Sequence, residues 1–230
     1  MDAAPITAIL RTLSFRGTAA EVGRLGNRHL AVALACTWVV GIGRWWDDPK
    51  ASLLQHLGLG SVVYVFVLAA LLWLVIWPLA PRVLSYKTAL TFVAMTSPPA
   101  ILYAIPVERF LSLRVAGQLN LWFLAIVATW RVALLLRFLS SVPAVGTVKG
   151  IIVALLPLSA IVTALTALNL HRVVFSIMGG IAENERSVHD DAYGVLLMLT
   201  VVSMMALPVL LLSYGASILH SWKLRKAARR

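Results

Sequence analysis

The stretch SVVYVFVLAALLWLVIWPL, residues 61–79, decides the fold class of this chain. It runs for 19 residues without a charged side chain, and a helix needs roughly 17–25 mostly apolar residues to cross a bilayer. Because lipid offers the backbone no hydrogen-bond partner, a segment that crosses must bond to itself as a helix. The stretch therefore predicts a transmembrane α-helix, with Trp73, Trp77 and Pro78 near its far end.

Five further apolar runs divide the rest of the chain. They cover residues 30–43, 88–105, 119–136, 150–170 and 192–219. The chain is 60% hydrophobic and 13% charged, whereas a water-soluble domain carries about 25% charged residues. We therefore predict an all-α fold: a polytopic six-span bundle over residues 29–220, an N-terminal segment 1–28 and a basic tail 221–230. The 14-residue first run has a second interpretation as a re-entrant segment, which would leave five crossings.

The charges predict the orientation of the bundle. If the gaps alternate between inside and outside, the inside set holds 13 Lys/Arg and two acids, and the outside set holds six Lys/Arg and seven acids. Short loops rich in Lys/Arg stay cytoplasmic, so both termini of this multi-pass protein are predicted in the cytosol. The net charge of +11 then indicates the lipid bilayer and its anionic headgroups as partners, not nucleic acid.

The segment before the first run has helical periodicity. Its apolar face would hold Ile6, Ile9, Leu10 and Leu13, and its polar face Arg11, Thr12, Ser14 and Arg16. This spacing predicts a short amphipathic helix in the membrane interface. The alternative is a frayed tail that docks weakly.

Prolines mark three of the runs. The sequence Thr96-Ser97-Pro98-Pro99 removes two consecutive backbone donors, so the third span should kink or break there. Hydroxyl groups, water or neighbouring helices must then bond the freed carbonyls. Pro157 and Pro208 are expected to interrupt the fifth and sixth spans in the same way.

Arg131 is the first candidate functional residue, because a charge inside a span is by default a functional hypothesis. It lies six residues before Arg137, and we favour a side chain that snorkels to the cytosolic interface. In the alternative it faces the bundle interior, against carbonyls freed by Pro98 and Pro99.

A second candidate is the outside rim, which combines acids with arginines. Its residues are Arg44, Asp47, Asp48, Glu108 and Arg109. The three carboxylates are of the type that binds a divalent cation. A solvated turn is the interpretation we favour, since adjacent Asp residues are common in turns.

Motifs for covalent or metal chemistry are missing from the sequence. Cys36 is the single cysteine, so no internal disulfide forms, and His171 and His189 lack a metal-ligand spacing. There is no Gly-x-Ser-x-Gly, Walker or His-Glu-x-x-His pattern. No acid lies within a run, which argues against an ion-coupled carrier. We therefore expect no cofactor and no bound metal.

Several short segments resemble bacterial members of the Yip domain family, named for Rab-GTPase-interacting proteins. They are ALLWL at 70–74, SYKTAL at 85–90, TSPPA at 96–100, a Trp-containing fourth span and ALLP at 154–157. The resemblance covers about residues 57–168. It implies a mostly non-enzymatic protein of membrane organisation and trafficking. Together with the compactness of the chain, it indicates the inner (plasma) membrane of a bacterium as the location. The family pattern has five spans, and this chain adds a sixth.

Three functions remain open on the sequence. The leading hypothesis is a non-enzymatic scaffold or accessory subunit, with a membrane-protein partner or a second copy of itself. The first alternative is a small-solute transporter or channel-like protein that uses the broken third span with Thr96 and Arg131. The second alternative is a membrane enzyme acting at the outer rim.

Overall fold

The computed structural model describes residues 4–42, 53–81, 83–143, 145–168 and 191–227, and within these ranges the chain is all helical with no strand. The α-helices are α1 (Pro5–Leu13), α2 (Ala19–Arg24), α3 (Asn27–Ile42), α4 (Leu53–His56), α5 (Leu59–Ile76), α6 (Tyr86–Met95), α7 (Leu113–Ser140), α8 (Gly146–Ala167) and α9 (Asp191–Ala227). Two short 3-10 helices, Pro98–Ala104 and Val107–Arg109, join α6 to α7. The predicted all-α class is confirmed.

Four helical stretches in the described ranges are long and apolar enough to cross a membrane. They are Leu59–Ile76, Val115–Ser140, Gly146–Ala164 and Met198–Ala227. These stretches correspond to the predicted second, fourth, fifth and sixth spans. The first predicted span is the apolar but shorter α3 of 16 residues, and the third is split between α6 and a 3-10 helix.

Contacts between helix ends give the relative directions of the helices. The Arg225 guanidinium, near the end of α9, donates to the Leu79 carbonyl just after α5 at 3.1 Å. Lys149, near the start of α8, donates to Ser221 of α9 at 3.0 Å. Thus α5, α7 and α9 finish, and α6 and α8 begin, at one end of the bundle, which we call the basic end.

The core lies around α6, which is enclosed by protein. Every residue from Thr88 to Met95 is buried, between α3, α5 and α2. The rings of Phe92 and Phe138 stack at 3.9 Å between centroids and join α6 to α7. At the opposite end from the basic end, Gly41 of α3 meets Gly58 so closely that an added Cβ would lie 2.7 Å from the Gly58 carbonyl oxygen.

The predicted break in the third span is confirmed. Helix α6 ends at Met95, Thr96 caps it, and Pro98 starts a 3-10 helix. The Thr96 hydroxyl donates to the Val93 carbonyl at 2.8 Å, and that of Ser97 approaches the same oxygen at 3.4 Å. The carbonyl that loses its helical donor to Pro98 is that of Ala94, which accepts from the Ser97 N–H at 3.1 Å and is approached by the Thr37 hydroxyl of α3 at 3.5 Å.

The prediction that Pro157 and Pro208 interrupt their spans is wrong. Both lie inside continuous helices, α8 and α9. A single proline removes one backbone donor, and neighbouring groups can bond the freed carbonyl without ending the helix. Two adjacent prolines after Thr96-Ser97 remove donors in succession, and there the helix stops.

The predicted N-terminal helix is confirmed as α1, but its faces differ from the prediction. Thr12, expected on the polar face, is buried with its hydroxyl donating to Ala8 and lying 3.7 Å from Met95 Sδ. On the predicted apolar face Ile9 is buried and Leu10 is 60% exposed, and the exposure of Leu10 does not contradict an interfacial helix. The hydroxyl of Thr12 is compatible with burial because its own helix supplies an acceptor. The interfacial position of α1 stays a prediction.

Candidate functional site

Arg131 lies beside an aromatic ring of another helix. Its Cζ is 6.0 Å from the centroid of the Tyr64 ring of α5. Arg131 is half-buried and Tyr64 is exposed. A guanidinium at this distance from an aromatic face gains a cation–π attraction. The neighbouring Trp130 donates its indole N–H to the Leu13 carbonyl at the end of α1, at 3.0 Å.

Thr96 and the two prolines lie at the joint between α6 and the first 3-10 helix, inside the protein. Thr96 is 3% exposed, and Pro99 is buried with it. The Thr37 hydroxyl of α3 approaches the Ala94 carbonyl at 3.5 Å from the other side. The hydroxyl groups at this joint therefore bond to protein carbonyls, and Thr96 presents almost no surface to solvent.

The rim residues are only partly covered by the structure. Arg44, Asp47 and Asp48 lie outside the described residues, and Glu108 and Arg109 belong to the short 3-10 helix Val107–Arg109. The favoured interpretation of the rim as a solvated turn stays a prediction, and so does its alternative, a cation site formed by the three carboxylates. Among the residues that the structure does describe, no three His, Cys, Asp or Glu side chains group together as a metal site.

A pocket that the sequence did not predict opens at the basic end, between the last turns of α9 and the segment that follows α5. Its volume is about 510 Å³. Trp77, Pro78, Pro81, Trp222, Arg225 and Lys226 line it. Two cations, two indole rings and two proline rings therefore surround one space, and none of the six lining side chains is acidic.

The cations of this pocket are held in defined positions. The Arg225 guanidinium donates to the Pro78 and Leu79 carbonyls, each at 3.1 Å. These carbonyls follow the end of α5, where the helix supplies no backbone donor to them. The Lys226 ammonium lies 5.3 Å from the centroid of the Trp222 ring.

One face of α9 brings this pocket against the bundle. Tyr214, Ile218, Ser221 and Arg225 are spaced by four, three and four residues, which places them on the same side of a helix. The Tyr214 hydroxyl donates to the Val75 carbonyl of α5 at 2.8 Å, and Ile218 packs on the core. The pocket wall is therefore fixed to α5 at several points.

The two groups of residues that line this pocket are each visible in the sequence, but far apart from one another. Trp77 and Pro78 end the second run, and the basic tail begins at residue 221. Their meeting depends on the contact between α5 and α9, elements far apart in the chain, which hydrophobic periodicity does not reveal.

No family model, no curated protein and no solved structure matches this chain. The resemblance to the Yip domain family stays a prediction.

Proposed function

We propose that this chain is a non-enzymatic integral membrane protein that serves as a scaffold or accessory subunit of a membrane complex. It crosses the inner (plasma) membrane six times, with α3 as the first span and α6 with its following 3-10 helix as the third. The basic end and both termini face the cytosol.

The surface of α9 carries the membrane part of this proposal. Of the α9 side chains from Met198 to Ala227, the buried ones are Thr200, Ser203 and Ser221. The Thr200 and Thr166 hydroxyls lie 3.2 Å apart, between α9 and α8. Large apolar side chains occupy the outside, with Leu212 76% exposed. Polar groups inside and apolar groups outside are expected of a helix whose solvent is lipid.

The orientation rests on charge and on the contacts between helix ends. The predicted inside gaps hold 13 of the 20 Lys/Arg, and the structure brings the ends of α5 and α9 and the start of α8 together at the basic end. A bundle end rich in cations is favoured on the cytosolic side.

The scaffold role is supported by how the candidate transport residues are used. The Thr96 hydroxyl donates to the Val93 carbonyl at the end of α6. The Thr96 hydroxyl is thereby used inside the protein, whereas the transporter alternative requires it to line a polar path between the spans. The Arg131 guanidinium lies over the Tyr64 ring. The sequence also has no nucleophile or metal motif for the enzyme alternative.

Reporter fusions test the topology. A reporter fused after Arg230 should be active only if it works in the cytosol, and one inserted near Asn184 should behave as external. The chain itself should stay in the membrane pellet at alkaline pH until detergent is added. An external C-terminus would contradict six spans, and release without detergent would contradict membrane insertion.

The scaffold role is tested by stoichiometry. The tagged full chain, solubilised in mild detergent and cross-linked beforehand in intact membranes, should run as a defined assembly with a second copy or a stoichiometric membrane-protein partner. Substrate-dependent flux in vesicles that contain only this chain would favour the transporter instead.

A further inference from the structure

We propose that the pocket at the basic end binds the headgroup of one anionic phospholipid, for which phosphatidylglycerol is the probe. This inference rests on the proposed membrane location of the chain. It goes beyond general attraction of headgroups to basic loops, because it assigns one lipid to six named residues. The headgroup phosphate would lie between Arg225 and Lys226, with Trp77 and Trp222 beside the glycerol and the first acyl carbons.

Charge complementarity is the first argument. Arg225 and Lys226 are the charged residues among the described residues that line the pocket, and none of these lining residues is acidic. A guanidinium has five N–H donors. Arg225 donates one N–H from Nη1 to the Leu79 carbonyl and one from Nη2 to the Pro78 carbonyl. The remaining donors are available to phosphate oxygens, which arginine binds with charge-assisted hydrogen bonds.

The second argument is that the site is fixed before a ligand arrives. The two carbonyl contacts hold the Arg225 side chain in one orientation. The bonds from Tyr214 to α5 and from Lys149 to Ser221 fix α9 against both neighbouring helices. A cation that is already positioned loses less conformational entropy on binding than a free surface cation.

The third argument identifies the ligand as a lipid instead of a soluble anion. Trp77 and Trp222 are each 54% exposed at the wall of the pocket, and tryptophan is enriched where a span meets the headgroups. The cavity of about 510 Å³ is within the range of about 300–1,000 Å³ that holds small organic ligands. A bare phosphate ion would leave the indole and proline walls uncovered.

The test uses the purified full chain in detergent and titrates it with dihexanoyl phosphatidylglycerol, dihexanoyl phosphatidylcholine, glycerol 3-phosphate and inorganic phosphate. Bound lipid is counted by native mass spectrometry, and Tm is measured in parallel. We expect phosphatidylglycerol to bind at one molecule per chain and to raise Tm in a saturable way. Phosphatidylcholine and the two soluble anions should do neither at the same concentration.

Two lysines provide a matched pair of variants. Lys226 lines the pocket and Lys223 is an exposed lysine of the same helix that does not. Lys226→Gln should weaken phosphatidylglycerol binding about fivefold, the typical contribution of one cation near a membrane surface. Lys223→Gln, with the same change of charge, should leave it within twofold. Arg225→Lys retains the charge but loses the fork, and it should also weaken binding while Lys223→Gln does not.

Three results would overturn the inference. Equal loss with Lys223→Gln and Lys226→Gln would mean diffuse attraction to the basic end. Equal binding of inorganic phosphate would mean a soluble anion site, and equal binding of phosphatidylcholine would mean that charge plays no part. Each result leaves alkaline-resistant membrane insertion intact, so failure of this inference is distinct from failure of the proposed membrane location.

Discussion

Helices α6 and α9 use their residues in opposite ways. Helix α6 is 10 residues long and buried without interruption from Thr88 to Met95, polar and apolar side chains alike. Helix α9 is 37 residues long, and from Met198 onward its buried side chains are two serines and a threonine. In these two helices, therefore, burial does not follow hydrophobicity.

The difference follows from the surroundings of each helix. Protein encloses α6 from Thr88 onward, so Thr88, Thr91 and the C-cap residue Thr96 are buried and find acceptors or donors nearby. Helix α9 packs mainly along α8 and leaves the rest of its surface to the medium. Between helices in lipid, small and hydroxylated residues pack best because they let the backbones approach and can bond across the contact.

A charge on the outer face of α9 should have the largest effect of the changes considered. Leu212 is 76% exposed near the middle of α9, so in water Leu212→Lys would be harmless. In lipid it should cost about 3 kcal/mol, the scale found for lysine at a helix centre. The measurement is the alkaline-resistant membrane fraction of the variant relative to the parent.

The control for that change is Leu224→Lys, at an exposed leucine close to the basic end of the same helix. There the new ammonium can reach the headgroups, and the membrane fraction should be unchanged. Equal tolerance at both positions would contradict the lipid-facing assignment of α9.

A methyl group added to the core should have the next largest effect, and two glycines give the comparison. Gly41→Ala places a Cβ 2.7 Å from the Gly58 carbonyl oxygen and 3.0 Å from its Cα. Because both atoms are backbone, α3 and α5 must separate, and we expect a loss of about 1–3 kcal/mol of stability. A lower Tm of the purified protein in detergent is the readout.

The matching change in α9 is Gly215→Ala, where an added Cβ meets nothing within 4 Å. It should be neutral or stabilise by up to about 1 kcal/mol, as alanine does for glycine inside a helix. If Gly41→Ala and Gly215→Ala shift Tm alike, α3 and α5 are less closely packed at Gly58 than the structure indicates.

Local features of the fold could be predicted from the sequence, and long-range ones could not. The helical nature of the apolar runs and the stop at Thr96 depend on neighbouring residues, through backbone bonding in lipid and the missing donors of Pro98 and Pro99. The burial of Thr12 depends on Met95, far along the chain. Periodicity assigned Thr12 to a polar face because it cannot detect a partner that the fold brings from elsewhere.

The candidate sites follow the same division. Arg131 was singled out because a charge in an apolar run is conspicuous by itself, yet its neighbour Tyr64 on α5 was not predicted. The pocket at the basic end was missed, since Trp77 and Arg225 are ordinary interface residues until α5 and α9 are placed side by side. A site formed by two segments that are distant in the sequence can be recognised only after their tertiary contact is known.

The smallest effect is expected at Arg131, which lies in α7 outside both of the compared helices. Its guanidinium is 6.0 Å from the Tyr64 ring centroid, and such pairs contribute about 0.5–1 kcal/mol at exposed sites. Arg131→Lys keeps the cation and should be tolerated, and Arg131→Leu should be neutral or mildly stabilising if the site faces lipid. A double-mutant cycle of Arg131→Leu with Tyr64→Leu, read by Tm in detergent, should give a coupling of the same small size.

If Arg131→Lys and Arg131→Leu both abolish folded protein, the arginine instead holds several polar groups inside the bundle. Lysine cannot replace the planar five-donor fork there, and Arg131 would then become the best starting point for the transporter alternative.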